Sequence, residues 1–162
     1  MNNLAKIGFG GGCHWCAEAV FQSLKGVDQV DQGWIGSERE NDTLSEAVIV
    51  HYDPNRIPLD ILIEVHLLTH QSSSNHSMRK KYRSAIYYFD LNTKNRSEKT
   101  LDVFQEKYQK QFVTQVLPFK TFKASREEIQ NYYKKNPEKP FCQTYIEPKL
   151  QLILKTHSVF KK

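Results

Sequence analysis

No stretch of this chain constrains its fold more than residues 8–16, GFGGGCHWC, in which four glycines in five positions run straight into a cysteine. Upstream, Ala5 to Gly10 carries an isoleucine and a phenylalanine in a short run closed by Gly11 and Gly12, the pattern of a buried strand. Downstream, Ala17, Val20, Phe21 and Leu24 recur at spacings of three and four, so a helix starts at Cys13 or His14 and stops before Gly26. The chain must therefore turn from strand to helix at Cys13.

Beyond that junction, strands are predicted over Val27 to Ile35, Ser45 to Tyr52, Ser84 to Phe89 and Val113 to Pro118. Helices are predicted from Pro58 through His66, from about Asn95 to Gln109, and from Ser125 to Lys134. The last carries Ser125 as N-cap and Glu128 as its capping-box partner, and Asn136-Pro137 ends it. Polar loops fall at Glu38 to Asp42 and Gln71 to Asn75. With 162 residues the chain suits one domain over 1–162 with a single core, leaving His157 to Lys162 as a tail. The expectation is an α+β fold with helices packed on one mixed or antiparallel sheet.

The chain is 39% hydrophobic and 25% charged, which excludes a disordered or fibrous protein. No apolar run is long enough to span a bilayer and the N-terminus lacks the features of a signal peptide, so the expected location is cytoplasmic, with no membrane partner. Three cysteines, an odd number, fit a reducing compartment in which thiols are kept for chemistry. The net charge of +5 includes a cluster at Arg79, Lys80, Lys81 and Arg83. Lysines elsewhere in the second half alternate with Glu and Gln as on a solvated helix face, and no nucleic-acid motif accompanies them.

A thiol is a nucleophile only as thiolate, and the unpaired N–H groups and dipole of a helix N-terminus favour that form. The GGGC junction thus makes Cys13 a candidate reactive thiol, against the plainer reading of Cys13 and Cys16 as small buried apolar groups. A zinc site lacks a recognisable four-ligand spacing, so no metal is expected. A dinucleotide loop lacks its third glycine, and a haem-attachment motif lacks its following histidine. Cys13-His14-Trp15-Cys16 has the C-x-x-C spacing of a dithiol redox pair, and that alternative stays open.

The residues also resemble a family. GGCHWCAEAVFQSLKGV is similar to the peptide methionine sulfoxide reductase A signature, G-G-C-F-W followed by a helix with E-x-x-F and then G-V. In order, SEAVIVHYDP resembles its A-E-V-V-x-V-x-Y-D-P strand, KYRSAIYY its Q-Y-R-S-A-I-Y segment, and EIQNYYKKNPEKPFC its H-Q-x-Y-Y-x-K-N-P-x-x-Y-C segment. Four ordered motifs spanning residues 7 to about 150 are far more specific than a lone C-x-x-C.

The resemblance implies a ferredoxin-like two-layer sandwich and an enzyme that reduces the S-epimer of methionine sulfoxide, free or in oxidised proteins. It needs no bound cofactor, draws on an external dithiol reductant such as thioredoxin, and is expected to work as a monomer. Cys13 would be the nucleophile, left as a sulfenic acid that a second thiol condenses to a disulfide. Glu46 would protonate the sulfoxide oxygen, its pKa raised if it faces an apolar pocket, although a carboxylate in an alternating strand more often faces solvent. Tyr82 would donate to the same oxygen, and His14, Trp15 and Trp34 would contact the substrate. Cys142 is favoured as the resolving thiol, with Cys16, one helical turn from Cys13, as the alternative. Dithiol-disulfide exchange and non-catalytic binding of oxidised methionine segments remain the competing functions. This chain departs from the family pattern at His14, where a phenylalanine is usual, and in a shortened segment between Gly33 and Glu46. Leu44 and Ser77 stand where the family carries a histidine and an aspartate.

Overall fold

A computed structural model describes residues 4–162. The chain folds in the order β1 (Ala5–Gly10), α1 (His14–Gln22), β2 (Val27–Gly36), β3 (Ser45–Tyr52), α2 (Leu59–Leu68), β4 (Ala85–Tyr88), α3 (Leu91–Tyr108), β5 (Gln115–Pro118), β6 (Thr121–Ala124), α4 (Tyr132–Lys135) and α5 (Glu147–Thr156). The six strands form one sheet in the order β5-β4-β1-β3-β2-β6. Every pairing is antiparallel except β4 with β5. The inner four strands, with α1 and α2 as crossovers, follow the split βαβ pattern of a ferredoxin-like sandwich.

Strand alternation divides the sheet into two apolar faces. Ile7, Phe9, Val48, Val50 and Ile86 join Val20, Phe21, Leu62 and Ile63 of the helices in the main core. On the opposite face Ile35, Ala47, Ile49, Ala85 and Tyr87 form a smaller cluster covered by Phe89, Leu117, Phe119 and Phe122. Glu46 is separated by two and four residues from Val48 and Val50, so the period-2 rule turns it toward the helices and not toward solvent. Its relative exposure is 7%.

The C-terminal third differs most from expectation. Ser125 to Lys134 is not one helix: a 3₁₀ turn at Glu127–Ile129 is followed by the short α4, with Asn131 between them in a left-handed conformation. Glu18 of α1 decides this break, because its buried carboxylate accepts from the N–H groups of Asn131 and Tyr132 and from the Gln32 amide. These tertiary partners replace the local capping box; the Ser125 hydroxyl has no partner among the described residues. After a π-helical turn at Cys142–Ile146, α5 forms where the sequence looks irregular, opened by Pro148 in its first turn. The expected tail at 157–162 is docked: His157 bonds Glu64, Leu24 pairs with Lys161, and Lys25 N–H donates to Phe160 O. Strand β6 escapes the sequence reading, and α3 begins four residues earlier than expected, capped by Asp90.

Candidate active site

Cys13 is the N-cap of α1, with extended backbone where the glycine run ends. Gly10 makes the junction possible by close approach: a Cβ there would lie 2.9 Å from Arg83 O and 3.1 Å from Glu46 O. A Cβ on Gly11 would fall 2.4 Å from the His70 ring. The glycines thus bring β3, the segment before β4 and the end of α2 against the start of α1.

At the first turn of α1 the Cys16 N–H donates to Cys13 O at 3.1 Å, and the acidic groups facing the turn are the Glu46 carboxyl and the Cys13 thiol. His14 N–H donates to Glu46 Oε1 at 3.2 Å. The Cys13 sulfur accepts from the Cys16 thiol and from the N–H groups of Trp15 and Cys16. The Cys16 bond chiefly holds the Cys13 thiol below its usual range; burial and the Glu46 charge push the other way, and the N–H groups add to the lowering. Cys16 is pushed far upward by the same bond, since losing its proton would leave two adjacent thiolates, and by burial. Cys13 is therefore the more acidic thiol of the pair and Cys16 its donor. Cys142 has no exposed surface and is raised chiefly by burial. All three cysteines are free.

A cavity of about 410 Å³ opens beside Cys13, lined among others by Cys16, Tyr82, Met78, Phe141 and Tyr145. Behind it lie His66 and His70, stacked with ring centroids 4.2 Å apart. His66 Nε2 donates to Gly10 O and His70 Nδ1 to His66 O, which anchors both rings. Burial depresses both: His66 lies well below its ordinary value and His70 falls to about 4. A polar group flanks Cys13 as well. Lys81 Nζ is 3.7 Å from Glu46 Oε2, and its pKa is raised by Tyr82 first, then by Glu46 and Cys13.

Of the residues singled out in the sequence, Cys13, Cys16 and Tyr82 share the cavity, and Glu46 is close enough to act on the Cys13 charge. Trp15, expected to wall the pocket, instead stacks on Tyr132 at 4.1 Å and meets Phe141 edge-on at 5.3 Å. Trp34 lies directly across the ladder from Glu46 and takes the His14 ring edge-on at 5.0 Å, so these two contact each other and not the cavity. Sequence reasoning missed the His66–His70 pair, although four-residue spacing on an apolar helix could have signalled it. It also named Lys81 only as one member of a basic cluster. In that cluster Arg79 donates to Gly11 O, Tyr82 O and Ser74 O, and buried Arg83 to Thr43 and Tyr87, so both arginines serve the fold.

Comparison with known proteins agrees with this geometry. The family model for peptide methionine sulfoxide reductase matches residues 5–161. A peptide methionine sulfoxide reductase MsrA of Acinetobacter baumannii (strain AYE) is 34% identical over 167 residues, covering 94% of each chain. Among solved structures, reduced Mxr1 of Saccharomyces cerevisiae superposes with a TM-score of 0.77 at 21% identity, over 88% of this chain and 91% of that one. Mxr1 in complex with Trx2 superposes at 0.63 and 21% identity, over 80% and 84%. At such identities the structures speak for the fold; the sequence matches, nearly full length on both sides, carry the assignment. The chain belongs to the peptide methionine sulfoxide reductase family.

Proposed function

We propose that Cys13 reduces methionine S-sulfoxide, free or in oxidised proteins, to methionine through a sulfenic acid. The observation that carries this reading is a cysteine at a helix N-terminus, its thiol held below the usual range by neighbouring donors, facing an aromatic-lined cavity large enough for a methionine side chain. The Cys13 thiolate attacks the sulfoxide sulfur while one proton passes to the oxygen. The hydroxyl then shifts from the substrate sulfur to the Cys13 sulfur, breaking the substrate S–O bond, as methionine departs with the electron pair of the transient S–S bond. Glu46, beside Cys13 and buried, is the proposed acid, and Tyr82 in the cavity is the proposed donor to the oxygen.

Cys16 is the proposed first resolving thiol, in place of Cys142. It is already hydrogen-bonded to the Cys13 sulfur, whereas Cys142 is enclosed among core residues behind α1. Condensation of sulfenic acid and thiol releases water and forms a disulfide, which an external dithiol reopens. A thioredoxin-type reductant in a reducing, cytoplasmic setting fits this step, as does the existence of a complex of Mxr1 with Trx2. The test is steady-state turnover of separated sulfoxide epimers with dithiothreitol, followed by mass spectrometry of the disulfide after one turnover. Expected are consumption of the S-epimer, loss of activity in Cys13→Ser, and a Cys13–Cys16 bond. Unchanged turnover in Cys13→Ser would sink the mechanism, and a Cys13–Cys142 bond would overturn the resolving order.

A further inference from the structure

Lys149 is an unmatched charge in the cavity. It stands in the first turn of α5, half-buried, and its ammonium donates to Thr69 O at the end of α2. An ammonium carries three hydrogens, so two remain for a ligand. Thr69 and Lys149 both line the cavity that holds Cys13, and the Lys149 charge acts on the Cys16 thiol and on His70, which line it too. Among the described residues, no aspartate or glutamate lines this cavity, and no carboxylate lies within ion-pair distance of Lys149. The acids nearby have other partners: Glu46 faces Lys81, and Glu147, on the same turn of α5, accepts from the Tyr133 hydroxyl. Arg79, whose guanidinium bonds go to carbonyl oxygens, adds positive charge against the His66–His70 pair. A cleft with apolar walls and charge of one sign concentrates ligands of the other.

We propose that Lys149 is a specificity-determining residue that binds a carboxylate of the substrate, so that the cavity favours methionine S-sulfoxides with a negative charge beside the sulfoxide side chain; this role rests on the reductase reading above. That carboxylate has two sources, the α-carboxylate of free or C-terminal methionine sulfoxide and the side chain of an adjacent acidic residue in an oxidised protein. Both present two acceptor oxygens to the ammonium, and both leave the sulfoxide at the end of its own side chain free to reach Cys13. The Thr69 bond holds the ammonium in place before substrate arrives, so little side-chain freedom is left to lose on binding. If Lys149 served only to tie α5 to α2, turnover would not respond to the charge of the substrate.

The experiment measures kcat and KM, with dithiothreitol, for two matched pairs of S-sulfoxides: N-acetylmethionine sulfoxide against its amide, and a blocked peptide with aspartate after the sulfoxide against the same peptide with asparagine. Wild type is compared with Lys149→Gln, whose amide can still donate to Thr69 O, and with Lys149→Arg, which keeps the charge. In wild type, kcat/KM should be about fivefold higher for the charged member of at least one pair, mainly through KM, and the pair that responds identifies the source of the carboxylate. Lys149→Gln should erase most of that ratio and Lys149→Arg should retain it. No preference in either pair would overturn the proposal. So would a preference that survives in Lys149→Gln, or a loss shared equally by charged and neutral substrates, which belongs to the tie between helices. Wild type that turns over none of the four defeats the reductase reading itself. Lys149 is then judged by Kd from NMR titration with the four reduced counterparts, where a preference of about fivefold for a carboxylate supports the proposal and equal affinities overturn it.

Discussion

Replacing Cys16 with alanine tests how the Cys13 thiolate is stabilised. The substitution removes one of three donors to the sulfur and leaves the N–H groups of Trp15 and Cys16, which belong to the backbone. A hydrogen bond to a charged group contributes about 1.5–3 kcal/mol, and a thiol is a weak donor, so the low end applies. At 1.36 kcal/mol per unit this raises the Cys13 pKa by about one unit. The assay is the rate of iodoacetamide alkylation as a function of pH. Cys16 and Cys142 are both shifted upward, so Cys13 is the thiol that reacts near neutrality. Cys16→Ser supplies the control, because a hydroxyl still donates but cannot form a disulfide. It should keep the low pKa while losing the single-turnover disulfide to Cys13. An alkylation profile for Cys16→Ala that overlays the wild type would refute the idea that Cys16 acidifies Cys13, and would return that role to the helix N-terminus alone.

Other consequences are equally open to measurement. His70 is held neutral with its pKa near 4, so the unfolded chain binds its proton first as pH falls below about 6.5. The stability this group contributes is complete above that pH and declines toward pH 4, by about 2 kcal/mol at pH 5. Urea denaturation at both pH values should show this loss, and His70→Gln should reduce it. Glu64 is buried, which opposes its charge, yet the donors Lys107, Tyr108 and His157 hold its carboxyl below the usual range. Glu64→Ala should therefore cost about 2 kcal/mol and release the C-terminal residues, read as faster proteolysis after α5. Gly10→Ala places a methyl 2.9 Å from Arg83 O and should destabilise by about 1–3 kcal/mol while lowering kcat through displacement of Glu46.

Where local pattern and tertiary demand coincide, the architecture is legible in the sequence. The strand, glycine turn and helix around Cys13 are read correctly because hydrophobic spacing switches from period 2 to period 3.6 within a few residues and the glycines mark the switch. The same reasoning fails at residues 125–134, where Ser125 and Glu128 spell a capping box but Glu18, more than a hundred positions away, claims the N–H groups of Asn131 and Tyr132. A lone buried glutamate on α1 outweighs a local motif because leaving its carboxylate unpaired costs more than losing one cap. Tertiary contacts also escape for the C-terminal residues, whose docking to Glu64 and to Ser23–Lys25 has no local signature.

The site divides along the same line. Cys13 is legible because its reactivity comes from a helix end, a local feature, and the burial of Glu46 follows from strand alternation once α1 is known to cover that face. Neither argument reaches His14, which in the sequence is only an unexpected residue beside the nucleophile. Its meaning requires Gly33 O, 19 positions away, and Glu46, 32 positions away, brought together by the β2–β3 ladder. A histidine at the first turn of α1 could have been a surface group or a ligand. The carbonyl on Nδ1 and the Glu46 carboxyl on its backbone N–H fix it in place, and neither contact has a local signature.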